Sequence, residues 1–270
     1  MKKKVRIDQL LVKKGLVTSR ALAQRIVMAG DVRANGQVVM KSSSKVQEDA
    51  QITIVEKPKF VSRGGDKLEA ALTNFKLTID GRMCADVGAS TGGFTDCLLQ
   101  HGATHVYAID VGRGIIHWKL RKDTRVTVME KTNARYLKAL PEPVSLITID
   151  ASFISLRVLL PVVKQWFGEG TGDVIALIKP QFEAGRKEAA RGKGVIRDEQ
   201  IHRRVVIDVL AYSEEEGYRV DGVIRSPVIG PKGNIEFLVW LAYPHRSSEV
   251  RRTWMEQVDI LFPVQDEEDG

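Results

Sequence analysis

Apolar positions along the chain fall into two rhythms. Near the start they recur at three- and four-residue steps: Ile7, Leu10, Leu11 and Leu16 in RIDQLLVKKGL, then Ala21, Leu22, Ile26 and Val27 in TSRALAQRIVMAGDV. That spacing predicts two short helices, the first closed by Gly15, the second opened by Thr18 or Ser19 and stopped by Gly30. DVRANGQVV then predicts a small hairpin turning at Asn35-Gly36, two residues that tolerate the left-handed backbone of a tight turn. From Gly65 onward, apolar runs alternate with helical stretches: KLEAALTNFK and GGFTDCLLQHG as helices, MCADV, HVYAID, VTVME, VSLITID and DVIALIKP as strands. LRVLLPVVKQWF and a long segment around EQIHRRVVIDVLAYSEEEG follow the helical rhythm, and YRVDGVIRSPV and NIEFLVWLAY complete the strands. Continuously apolar strands separated by helices predict an α/β fold, a mostly parallel sheet covered on both faces. In such sheets ligands collect beyond the carboxyl ends of the strands, where the strand order reverses.

Composition narrows the class. With 270 residues, 43% hydrophobic and 28% charged, the chain has the make-up of a folded globular protein of one large domain or of a medium domain with an appendage. VSLITIDASFISLRVLLPVV comes nearest to a membrane span but is interrupted by Asp150 and Arg157, and MKKKVRIDQ lacks the apolar stretch of a secretory signal. Cys84 and Cys97 fall in predicted buried elements, which argues against a disulfide framework and for a reducing cytoplasmic setting. EKPKFVSRGGDK mixes proline, glycine and charge. It sets the expected division into 1–59, 60–245 and a C-terminal extension, 246–270, whose DEEDG end is an acidic tail.

The formal charge of +7 is unevenly spread. Lys2, Lys3, Lys4, Arg6, Lys13, Lys14, Arg20, Arg25, Arg33, Lys41 and Lys45 crowd the first 45 residues against only Asp8 and Asp31. A polyanion is the natural partner of such a surface. The pattern RIDQLL, SRALAQRIVMAGDVRANGQVV resembles the α-L RNA-binding module of a small-subunit ribosomal protein, and this resemblance covers about the first 57 residues. It implies structured RNA as ligand, contacted through Arg6, Lys13, Ser19, Arg20, Gln24, Arg25 and Arg33.

The lean stretch CADVGASTGGFTDCLLQ lies between a strand and a helix. Gly88 lets the backbone turn sharply and approach a ligand, and Gly92-Gly93 opens the next helix with free amides. Asp110, at the end of the following strand, places a carboxylate where it can take both hydroxyls of a ribose. The spacing is neither that of dinucleotide binders nor that of a phosphate-binding Walker loop. DVGASTGGFTDCLL with YAIDVG resembles the S-adenosylmethionine loop of Rossmann-like methyltransferases, above all the FtsJ-like RNA ribose methyltransferases. The resemblance implies S-adenosyl-L-methionine as cofactor, with Asp86, Gly88, Ala89, Ser90, Thr91, Gly92, Gly93, Phe94, Asp110 and Val111 around it. Asn133 either borders the adenine or caps its own loop.

Neither an Asp/Asn-Pro-Pro-aromatic motif for methylating a base nitrogen nor a Pro-Cys nucleophile for a pyrimidine carbon is present. Asp150 and Lys179 instead stand at strand ends. With Lys67 and Glu236 they form a Lys-Asp-Lys-Glu set that resembles the catalytic tetrad of the FtsJ-like family. SRGGDKLEAAL, TIDASFISL, LIKPQFE and GPKGNIEFL resemble one branch, the TlyA family of rRNA methyltransferases also labelled hemolysins. That likeness implies methyl transfer to the ribose 2′-hydroxyl of cytidine in ribosomal RNA, with ribosomal subunits as partners; a monomer is expected, and the lack of an uninterrupted apolar span argues against a membrane partner. Lys179 is expected to act on the hydroxyl, as a base if burial beside Lys67 favours its neutral form and otherwise as an orienting donor. No metal is expected, because the histidines, including His101, His105 and His117, show no ligand spacing. Arg63 and the loop residues Arg186, Lys187, Arg191 and Lys193 complete the expected RNA contacts, in a glycine-rich loop expected to be partly disordered without RNA. A non-catalytic ribosome assembly factor and a cytolysin are the competing readings.

Overall fold

The computed structural model describes residues 3–55, 58–185, 188, 192–244 and 254–263. The chain divides into two compact units, 1–58 and 59–270. In the first, β1 (Lys4–Arg6) leads into α1 (Ile7–Lys13), α2 (Arg20–Met28), β2 (Val32–Ala34), β3 (Gln37–Val38), β4 (Lys45–Gln47) and β5 (Ile52–Ile54). Ser19 caps α2 by accepting from Leu22 N at 3.2 Å, and Asn35 and Gly36 take φ of 50° and 81° in the β2–β3 turn. Ile7, Leu11, Ala23, Val27 and Val32 form its core. Two details depart from the sequence pattern. Leu16 is exposed, because Gly15 turns the chain off the helix at φ 68°, and residues 4–6 form a strand pairing antiparallel with β4.

The second unit opens with α3 (Gly64–Phe75) and continues β6 (Met83–Val87), α4 (Gly93–Gln100), β7 (His105–Ile109), α5 (Trp118–Arg121) and β8 (Val126–Met129). After β9 (Leu146–Ile149) come α6 (Leu156–Val163), β10 (Gly172–Ile178), α7 (Pro180–Glu183), α8 (Glu199–Glu215), β11 (Arg219–Arg225), β12 (Phe237–Tyr243) and α9 (Trp254–Leu261). The seven strands lie in the order β11-β12-β10-β9-β6-β7-β8. β6 to β10 are parallel, while β12 runs antiparallel to both β10 and β11. The inward faces of these strands are packed on both sides. One apolar cluster includes Trp166, Phe167, Val206, Leu210 and Trp254, the other Leu68, Leu72, Phe94, Leu98 and Leu120. Each large side chain so buried contributes about 1.5–3 kcal/mol. The aromatic pair Trp166–Phe167 is thus core, as its pattern predicts.

Chain order places the site. From β6 the chain moves outward through β7 and β8, then crosses back to lay β9 on the other side of β6. The order reverses between β6 and β9, and the loops leaving these two strands carry Gly88 and Asp150.

Candidate active site

The turn after β6 is built from residues that can sit where side chains have no room. Gly88 has φ 81°, and a Cβ there would lie 2.8 Å from the Asp150 carbonyl oxygen. Gly93 is similarly hemmed in, with Ser62 Oγ 2.3 Å and the Gly65 nitrogen 2.9 Å from where its Cβ would be. Beside the turn opens a cavity of about 490 Å³, a volume suited to a cofactor, lined among others by Gly88, Ser90, Asp110, Val111, Asn133 and Phe153. Asp110 is fixed by backbone donors: Ser90 N to Oδ2 at 2.8 Å and Gly112 N to Oδ1 at 2.7 Å. Each oxygen keeps a further lone pair for a ligand hydroxyl. Asn133 caps its own loop by accepting from Arg135 N at 3.1 Å, and it also lines the cavity.

A second cavity of about 300 Å³ shares Gly88, Ser90 and Asp150 with the first and adds Ser62, Arg63, Lys67, Thr91 and Gly230. A chain of alternating charge starts at this shared wall: Asp150 lines both cavities and Lys67 the smaller one, while Lys179 and Glu236 lie behind them and line neither. Lys179 Nζ lies 2.5 Å from Asp150 Oδ1, Lys67 Nζ 3.7 Å from Asp150 Oδ2, and Lys67 Nζ 2.7 Å from Glu236 Oε2. Lys67, Lys179 and Glu236 are buried, at 7%, 6% and 1% exposure. Such burial is tolerable because each charge faces its opposite, and removing one member leaves its neighbour uncompensated. Lys179 also donates to Ser152 Oγ at 3.1 Å and to the Asp150 carbonyl at 3.4 Å, so its nitrogen is held from three directions. Glu236 Oε1 is buried without a hydrogen-bond partner, a carboxylate oxygen left with capacity to spare.

Glu183, on the short helix after Lys179, accepts from Ser155 Oγ at 2.5 Å and from Leu156 N at 2.7 Å. Phe182 packs on Phe153 with ring centres 5.0 Å apart. These contacts fasten the turn bearing Lys179 to the loop bearing Asp150 and Ser152. Burial raises the Glu183 carboxyl above its ordinary range, against the pull of Ser155 and Leu156. Phe153 itself is 90% exposed and held at φ 64°, a conformation unfavourable for an aromatic residue, on the rim of the larger cavity.

A lean turn, a carboxylate held by backbone amides and buried paired lysines meet at the switch point of an α/β sheet, the arrangement that the likeness to FtsJ-like methyltransferases implies. The profile of that family matches residues 60–243, and that of the S4 domain residues 5–52. The chain belongs to the FtsJ-like methyltransferase family. It is 42% identical over 245 residues to the 16S/23S rRNA (cytidine-2′-O)-methyltransferase TlyA of Mycobacterium tuberculosis, covering 89% of this chain and 91% of that protein. The rRNA methyltransferase candidate YqxC of Bacillus subtilis is 44% identical over 263 residues, 95% of this chain and 92% of its own length. Among solved structures, a hemolysin candidate from Streptococcus thermophilus superposes with a TM-score of 0.67 at 44% identity, covering 90% of each chain.

Within this FtsJ-like unit, Ala89, Thr91, Gly93 and Phe94 line the smaller cavity rather than the larger one, and Ser90 lines both. Gly92 lines neither; at φ 95° it lets α4 begin, and a Cβ there would strike Leu120. Asp86 departs most from the expected cofactor contacts. It is fully buried beneath the turn, accepting from Thr95 N at 3.0 Å, Thr95 Oγ1 at 2.6 Å and Thr148 Oγ1 at 3.1 Å, so it braces β6, α4 and β9 instead of facing either cavity. Burial lifts its carboxyl to about 7, helped by the charge of Asp150 and opposed by Thr95 and Thr148. Among the described residues, spacing in the sequence does not reveal one donor group: Glu69, Cys97 and His101 bring ligand-type atoms within 4.8 Å of one another. Those atoms are engaged locally. His101 Nδ1 lies 2.9 Å from the Cys97 carbonyl, Lys59 donates to Glu69 at 2.6 Å, and burial pushes the Cys97 thiol far above its usual range.

In the S4 unit, Arg6, Arg20 and Gln24 converge on one carboxylate. Arg6 Nε and Arg20 Nε each lie 3.0 Å from Asp8, and Gln24 Nε2 lies 3.1 Å from it. The Arg6 hydrogen bonds above all hold Asp8, itself buried, far below the ordinary carboxylate range. Lys13 pairs with Glu48, and the Ser19 hydroxyl is spent on its cap. Arg25 and Arg33 are exposed, as are Arg63 and Lys193 in the second unit. Arg186, Lys187 and Arg191, like the DEEDG tail, lie outside the described residues.

Proposed function

We propose that the protein transfers a methyl group from S-adenosyl-L-methionine to the ribose 2′-hydroxyl of a cytidine in ribosomal RNA. The observation that carries this reading is the buried Lys179–Asp150–Lys67–Glu236 chain, whose Asp150 lines two cavities, one suited to a cofactor and one open toward Arg63. The cytidine and the ribosome come from the relative TlyA, whose name specifies both. The S4 unit, with Arg25 and Arg33 exposed and Arg6 and Arg20 gathered around Asp8, would supply a contact for structured RNA.

Asp110 would hold the cofactor's ribose, the Gly88 turn its amino-acid end, and Asn133 would border its base. Bound there, the cofactor supplies an activated methyl group. The chain's own residues have a limited task, because a ribose hydroxyl needs chiefly to be aligned and relieved of one proton. Lys179, braced by Asp150 and Ser152, positions the 2′-oxygen by donating to it. The hydroxyl proton passes into the Lys179–Asp150 pair as the oxygen becomes alkylated. Lys67 and Glu236 keep Asp150 in place and balance the charge around it.

Wild-type protein given the labelled cofactor and purified ribosomal subunits is expected to yield a 2′-O-methylated cytidine on mass-spectrometric mapping. In Lys179→Ala, turnover should drop by about 10²–10⁴ while RNA and cofactor still bind. An unchanged product from that variant would remove the mechanism, and RNA binding without any methyl transfer by wild type would favour an assembly factor. The hemolysin label of the structural relative names a further reading. No helix of the described residues is long and apolar enough to cross a membrane. Leakage of liposomes caused by the purified protein would support that reading nonetheless.

A further inference from the structure

The loops at the carboxyl edge of the sheet carry an unusual amount of apolar surface. Of the eight large hydrophobic residues exposed in the described part of the second unit, six (Val111, Ile115, Trp118, Tyr136, Phe153 and Ile229) follow the carboxyl ends of strands. Val111, Ile115 and Phe153 line the larger cavity and Ile229 the smaller, so the site accounts for them. Trp118, 66% exposed, lines neither.

Its helix is firmly seated. On the inward side of α5, Leu120 and the preceding Ile116 are 1% and 6% exposed and pack where a Cβ at Gly92 would collide. His117 N donates to the Thr91 carbonyl at 3.1 Å, and Lys119 Nζ reaches Asp96 at 3.5 Å. Thr91 lines the smaller cavity, so the helix rests on the wall of the site. Trp118 is therefore not needed for packing, and its indole stands in water on a rigid support. Around it, Arg113, Lys119, Arg121 and Lys122 lie between Asp110 and Asp123; Arg121 pairs with Glu130 and Lys119 with Asp96, and Lys122 stands beside the indole. Lys122 Nζ lies 5.3 Å from the Trp118 ring centre. An exposed indole flanked by cations suits a partner that offers flat rings and phosphates together, and a purely apolar partner would leave the lysines desolvated.

We propose that α5 is an RNA-docking element of the catalytic unit, in which Trp118 stacks on an unpaired base of the substrate and Lys122 takes an adjoining phosphate. This rests on the reading of the substrate as RNA, and extends it to where the strand lies outside the reaction centre. Loss of a base-stacking contact corresponds to a roughly tenfold or greater loss of affinity.

The test compares full-length wild type with Trp118→Ala, Trp118→Phe and Lys122→Glu on purified ribosomal subunits. Trp118→Ala should raise KM for RNA about tenfold, with kcat at saturating RNA, cofactor affinity and thermal midpoint unchanged, and Trp118→Phe should recover most of the loss. Lys122→Glu should weaken RNA binding and flatten its salt dependence. The proposal is overturned if Trp118→Ala matches wild type in KM, if its loss follows a lowered thermal midpoint, or if the substitution instead abolishes self-association of the protein. Failure of wild type to methylate any RNA overturns the functional reading separately. The affinity of wild type against Trp118→Ala for the same subunits then still decides the docking site.

Discussion

At the residue scale, Asp86 shows how a motif position can serve a site without touching it. Its carboxyl, lifted by burial from 3.8 to about 7, is favoured in its neutral form by the fold. A carboxyl raised in this way stabilises most below its unfolded value, and that contribution is withdrawn as the solution rises through about pH 7. Asp86→Asn keeps the shape, with its carbonyl for Thr95 and its amide for Thr148, but cannot ionise. The thermal midpoint of the variant minus that of wild type should therefore climb by several degrees between pH 5 and pH 8. Parallel melting curves across that range would dispose of the idea. Gly88 has the opposite character, being constrained by space. Gly88→Ala forces a side chain into the left-handed region at φ 81° and against the Asp150 carbonyl, a strain of at least about 1–2 kcal/mol. Calorimetric titration should show cofactor affinity reduced tenfold or more, and an unaltered affinity would mean that the turn does not hold the ligand.

At the element scale, the first two helices of the S4 unit are tied by Asp8, which sits in α1 and takes Arg20 and Gln24 of α2 as well as Arg6. A carboxyl depressed this way stabilises above its unfolded value, and that contribution is lost as the solution is acidified. Asp8→Ala should destabilise this unit by about 2 kcal/mol at neutral pH, toward the hydrogen-bond end of the scale because both guanidinium groups keep contact with water. Hydrogen exchange resolved to residues 3–55 would measure it, with unchanged protection refuting the estimate. The helices and strands themselves were readable in the chain, since apolar spacing and glycine stops are local signals. So was the grouping of Lys67, Asp150, Lys179 and Glu236, because these residues fall at strand ends or carry a family likeness. What spacing could not disclose depends on register across the sheet: the clasp of Glu183 on Ser155 and Leu156, the support of Lys179 by Ser152, and the inward turn of Asp86. Asp8 was visible only as a minority charge among cations. Its role required α1 and α2 to be laid side by side.

At the scale of the whole molecule, the excess of +7 belongs with a polyanionic partner. Affinity for ribosomal RNA should fall steeply as salt rises, and replacing Arg25 and Arg33 together by Ala should reduce the slope by about two. Filter binding over a salt series reads this directly, and a slope insensitive to both residues would move the contact elsewhere. On the proposed reading, RNA capture by the first unit and methyl transfer by the second can be impaired independently, although α5 of the second unit also contributes to capture. Variants of the first should lose capture of RNA and those at Lys179 turnover.

The contact between Gly88 and the carbonyl of Asp150 makes one wall do two jobs. On the proposed reading, the backbone that would shape the seat of the methyl donor also carries the Asp150 carboxylate that braces Lys179. Enlarging the seat, to admit a bulkier sulfonium analogue for instance, would shift Asp150 and with it the grip of Lys179. Variants selected for such analogues should consequently pay in turnover with the natural donor, unless the loop after β9 is redesigned at the same time.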